Sequence, residues 1–72
     1  MEYRKLKGRI VEICGSQAKF SEKAGLSKNI ISKKLNGQCG ISQDDVYNWC
    51  NILEIDQHDI GTYFFPQILQ RR

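Results

Sequence analysis

Residues 16–37 read SQAKFSEKAGLSKNIISKKLNG, and the architecture turns on them. Ser16 is a good N-cap, although Lys19 stands where a capping box would need Glu or Gln. Phe20 and Ala24 follow four apart, so they share one face of a short helix. Gly25, free to take positive φ, stops that helix after about eight residues. Leu26 plugs the corner, and Ser27 can cap a second helix two residues after the glycine. Ile31 and Leu35 give this second helix its inward stripe. Asn36 and Gly37 end it, with Gly37 suited to the left-handed position. Two helices that cross steeply need small residues where they touch, and Ser21 and Ala24 supply them. The stretch is a helix, a tight turn and a helix. The free face of its second helix is polar and rich in hydrogen-bond donors: Lys28, Asn29, Ser32 and Lys33.

The flanks are helical as well. Before the motif, Tyr3, Leu6, Ile10 and Ile13 recur at three- and four-residue steps, with Arg4, Lys5, Lys7 and Arg9 on the other face. Gly8 interrupts this helix at a cost of about 1 kcal/mol relative to Ala, and Gly15 ends it. After the motif, residues 38–41 read as a loop. Ser42 and Asp45 resemble a capping box, and Asp44 and Asp45 both suit the positive end of a helix dipole. Val46, Cys50 and Leu53 share a face of this fourth helix, with Trp49 beside them; Tyr47 and Trp49 read as core or interface packing. Asp56 can cap a fifth, short helix, whose Ile60 and Phe64 face the core and which Pro66 terminates. No segment of period-two alternation survives; TYFF, residues 62–65, is the best strand candidate and is too short. The expected architecture is all-α: five short helices around one small core, with a central helix-turn-helix over residues 16–37. The domain is expected to span residues 1–65, with 66–72 as a tail.

The chain has 72 residues, one small domain with no room for a doubly wound sheet or a TIM barrel. With 40% hydrophobic and 26% charged residues, the composition is that of a globular chain and not a disordered one. No apolar run approaches the roughly 20 residues that span a bilayer. The cysteines, Cys14, Cys39 and Cys50, are odd in number and lack C-x-x-C spacing, and one histidine, His58, adds little; no zinc site or disulfide framework is expected. Reduced cysteines fit a cytoplasmic protein, with Cys14 and Cys50 acting as small hydrophobes. No Ser-His-Asp set, glycine phosphate loop or metal constellation is present, so neither an enzyme nor a cofactor is expected.

The net charge of +3 is unevenly placed. Residues 1–36 carry nine Lys/Arg against three Asp/Glu, and residues 37–72 two against five. A basic front half holding the polar-faced helix suggests a polyanion partner. The plain alternative for each lysine is a solvated charge.

These residues resemble a known family. Gln17-Ala18 opening the first helix of the motif, Gly25 in the turn, Ile31 in its second helix and Asn36-Gly37 at the end of that helix are similar to the helix-turn-helix of the lambdoid Cro and CI repressors. Closer still are the small Cro-like regulators of Gram-positive prophages. The likeness runs from YRKLKGRI (residues 3–10) to DIGTYFF (residues 59–65). Two positions depart: Ser21 stands where the family has Ala, and Lys34 where it has an apolar residue. The apolar role at the second position passes to Leu35, which implies a small rotation of the motif's second helix.

The resemblance implies a lambda-repressor-like, sequence-specific regulator that represses by occupying double-stranded operator DNA as a homodimer. Base contacts would come from Lys28, Asn29, Ile30, Ser32 and Lys33, with Asn on adenine, Lys on guanine and Ile30 against a thymine methyl. Gln17, Ser16, Ser27, Asn36 and Gln38 would hold the backbone, Gln17 at a helix N-terminus. Two recognition helices in successive major grooves lie about 34 Å apart, which needs a symmetric dimer. Tyr63, Phe64, Phe65, Ile68 and Leu69 are the apolar residues available for its interface, unless they only seal the core. Neither a membrane nor a small-molecule substrate is expected. A second class stays open: a protein-interaction module of antitoxin or antirepressor type that uses the helix-turn-helix as scaffold.

Overall fold

The computed structural model describes residues 3–65. Five α-helices follow in order: α1 (Arg4–Cys14), α2 (Gln17–Ala24), α3 (Lys28–Leu35), α4 (Gln43–Leu53) and α5 (Ile60–Phe64). A single 3₁₀ turn, Gln57–Asp59, leads into α5. Among the described residues there is no strand.

The local signals act where the sequence puts them. Ser16, Ser27 and Ser42 each cap a helix, accepting from the backbone N–H of Lys19, Ile30 and Asp45 at 3.1–3.2 Å. At α4 the carboxylate of Asp45 also accepts from the Ser42 backbone, which closes the capping box. Gly25 is left-handed, φ 74°, and its N–H returns to the carbonyls of Ser21 and Glu22. A side chain there would be strained by the backbone alone. Ser21 lies buried in the first helix of the motif and donates to the Ala18 carbonyl at 2.7 Å, so the hydroxyl is satisfied without a partner outside its own helix. Asp56 caps the 3₁₀ turn through the His58 N–H. The expected fifth helix therefore begins with one tighter turn.

Trp49 sits at the centre of the core. The Phe20 ring meets it edge-on, centroids 5.0 Å apart, and Phe64 lies on another side at 6.3 Å. Both contacts fall within the range of favourable aromatic pairs. Leu6, Ile10, Ile31, Leu35 and Leu53 are likewise fully buried. Two stripes are shifted from expectation. On α1 the buried line is Leu6, Ile10 and Cys14, with Tyr3 and Ile13 at its edges. On α4 the line is Trp49 and Leu53, flanked by Val46 and Cys50. Each centres on the larger or later residue because the partner helices, not the period, choose which part of the arc is deepest. Burial also pushes the Cys50 thiol up, in keeping with a small hydrophobe.

Three long side chains fasten the helices to one another. Arg9 on α1 donates from Nε to the Leu53 carbonyl at 2.9 Å and from a terminal nitrogen to the Glu54 carbonyl at 3.0 Å. A cation thus meets the orphan carbonyls at the end of α4, where the helix dipole is negative. Glu54 itself is left-handed, φ 56°, the one described non-glycine residue in that region. Lys34 leaves α3 to reach the Asp45 carboxylate at 2.8 Å and the Gly40 carbonyl at 2.9 Å. Lys7 on α1 donates to Asn36 Oδ1 at 3.1 Å.

Candidate nucleic-acid interface

The turn of an α-helix, about 100° per residue, governs what α3 presents. Ile31 and Leu35 are anchored in the core. Asn29, Lys33 and the helix-ending Asn36 then fall on the opposite, exposed side. Ser32 and Ile30 lie half-buried on its two edges. Lys28 is exposed because it stands in the first turn, beyond the reach of the core. Asn29 and Lys33 thus share the outward face, Ser32 and Ile30 border it, and Lys28 stands apart in the first turn, three residues before Ile31.

The flanking positions are distributed around this helix. Gln17 opens α2, half-buried, and Gln38 is exposed in the loop after α3. Ser16 and Ser27 hold their hydroxyl oxygens against backbone N–H groups of their own helices. Asn36 is exposed, but its carboxamide is engaged: Oδ1 with Lys7, and Nδ2 with Ser32 Oγ at 3.5 Å.

The basic residues of the front half divide by environment. The Lys34–Asp45 pair is mostly buried, with side-chain exposures of 16% and 17%. Partial burial pushes the Asp45 carboxyl up, but hydrogen bonds from Lys34 and Ser42 outweigh it and hold the group below its ordinary value. Lys28 and Lys33 are exposed and make no ion pair among the described residues. Sequence reading alone does not connect Lys7 to Asn36 or Lys34 to Asp45, since these partners meet only across the fold.

A second exposed region is apolar. Ile41, Gln43, Val46, Tyr47, Ile60 and Phe65 line an open groove of about 400 Å³. Tyr47 is 64% exposed and Phe65 42%, so Tyr47 does not belong to the core and only Trp49 does. The expected dimer contacts separate here. Phe64 is 3% exposed and packs on Trp49, so it is a core residue and leaves no surface for a second chain. Tyr63 is half-buried against the core, and Phe65 alone of the three is exposed. Ile68 and Leu69 lie outside the described residues.

Among the described residues no cluster of His, Cys, Asp or Glu could hold a metal, and no helix is long and apolar enough to cross a membrane. The three cysteines are free. His58 is exposed; its backbone N–H, and then its ring 3.1 Å away, hold the Asp56 carboxyl low.

No curated protein matches the chain significantly. Among solved structures it is similar to the solution structure of the modulator of repression of the temperate bacteriophage TP901-1 from Lactococcus lactis. The two are 38% identical, the match covers 89% of this chain and 86% of that one, and the TM-score is 0.80. A likeness of this extent carries the whole helical arrangement, flanks included. A family model spans residues 1–67, and the chain belongs to that family, described as a protein of unknown function, DUF739.

Proposed function

We propose that this chain is a small regulator of a temperate-phage genetic switch that acts by binding duplex DNA through the outward side of α3. The observation that carries the reading is the contrast within one helix. Lys34 is tied to Asp45 and Gly40, while Lys28, Asn29 and Lys33 stand exposed with donors available. Donors of these types match the acceptors of base edges in the major groove, which is wide enough for a helix. The likeness of residues 16–37 to the Cro and CI repressors points the same way. On this reading the protein is a homodimeric repressor that occupies an operator.

Selection from a random duplex library tests it. The expected result is a palindromic sequence preference, with an affinity that falls steeply with salt as phosphate counterions are released. Asn29→Ala should then relax the preference at one position of each half-site, whereas Gln17→Ala should weaken all sequences alike. Absence of duplex binding at low salt overturns the reading.

A second reading rests on the groove between α4 and α5 and on the name of the similar phage protein, a modulator of repression. Here the chain works by binding another protein. Under that reading Tyr47→Ser abolishes regulation and Asn29→Ala does not.

A further inference from the structure

Asn36 is expected to hold a DNA phosphate, yet its side chain is already engaged. Its Oδ1 accepts from Lys7 Nζ at 3.1 Å, and its Nδ2 faces Ser32 Oγ at 3.5 Å. The first contact joins residues 29 apart in sequence, so the packing of α1 on the motif brings this cation to the end of α3. An ammonium has three protons, and Asn36 takes one. Asn36 is neutral, so the positive charge of Lys7 remains uncompensated by it. The C-terminal end of a helix is the negative end of its dipole and favours a cation there. No acidic side chain pairs with Lys7 among the described residues.

We infer that Lys7, held by Asn36, is a DNA phosphate contact at the C-terminal end of α3. This rests on the DNA reading above. With α3 in a major groove about 12 Å wide, a group standing beside the helix end meets the sugar–phosphate wall and not the base edges. Lys7 makes the contact, and Asn36 positions it. The phosphate-holding set thus includes a residue of α1, outside the helix-turn-helix.

The test measures duplex affinity against salt for the full chain, using both the selected duplex and an unrelated one. Lys7→Gln should lower affinity several-fold on both duplexes and reduce the salt slope by about 1 per protomer. Asn36→Asp keeps Lys7 but pairs it with a carboxylate, and should reduce the slope in the same way. Lys7→Arg should keep the slope. A circular-dichroism melt unchanged in Lys7→Gln ties its effect to the contact; where that variant melts early, the Asn36→Asp slope decides instead. A Lys7→Gln or Asn36→Asp slope equal to that of the wild type overturns the inference and leaves the DNA reading standing. A wild-type chain that binds neither duplex overturns both.

Discussion

Arg9 and Lys34 share a charge with Lys28 and Lys33 but not a surrounding. All four come from the basic half of the chain. The first two are drawn into the fold: Arg9 satisfies carbonyls at the end of α4, and Lys34 bridges α3 to the capping box of α4. The second two stand exposed on α3. A count of basic residues therefore overstates the surface that a polyanion can use. Two of these four cations serve as fasteners. Their removal should act on stability, while removal of the other pair should act on binding.

The largest expected effect lies on the binding side. Replacing both Lys28 and Lys33 by Ala should cost about 3 kcal/mol of duplex affinity, roughly 100-fold, while stability stays within about 0.5 kcal/mol. Titration of a labelled duplex and a urea melt read the two quantities, and a stability loss matching the affinity loss would erase the distinction. On the fastening side, Arg9→Ala should cost about 2 kcal/mol in the urea melt, because two carbonyls lose a charged donor. Duplex affinity measured well below the melting point should stay near that of the wild type.

Lys34→Met should cost about 1–2 kcal/mol, less than Arg9→Ala, since the Met stem keeps the packing of the mostly buried side chain. The same pair sets a pH dependence. Asp45 is held below its ordinary value of 3.8, so its contribution is fully present above that pH and is lost as pH falls through the lower, folded value. Asp45→Asn should therefore flatten the acid limb of the stability curve, read from thermal melts between about pH 2 and 6. An unchanged limb would mean that the pair does not bind α3 to α4. The smallest effect is a gain. A Cβ added at Gly8 meets nothing within 4 Å, and Gly8 is helical, so Gly8→Ala should add about 0.5–1 kcal/mol. A loss of duplex affinity in that variant would show that α1 approaches the partner closely, beside Lys7.

Most of the fold is legible in the sequence because its signals are local. Ser16, Ser27 and Ser42 each act on an N–H three residues away, and Gly25 acts on its own φ. Ile31 and Leu35 are buried as their spacing requires, and so the outward positions of α3 follow. Other assignments depend on packing between helices. By pattern Phe64 suits both the core and a dimer contact, and only its packing on Trp49 resolves the choice. Tyr47 and Trp49 are two residues apart on α4, yet one is exposed and the other buried. Their roughly 200° separation says that they differ, not which one the other helices cover. Lys34 departs from the repressor pattern, and its partner Asp45 is visible in the sequence only as a cap.

Chemistry within about four residues is enough to set the element order, the caps, the turn at Gly25 and the face that α3 leaves polar. Periodicity and capping describe such short-range interactions fully, so the sequence suffices for them. Where the long side chains end is another matter. Lys7 finds Asn36, Lys34 finds Asp45, and Arg9 finds the carbonyls of Leu53 and Glu54. A flexible cationic stem can reach several acceptors, and the choice among them is made by the packing of helices around Trp49, not by any neighbour in the chain.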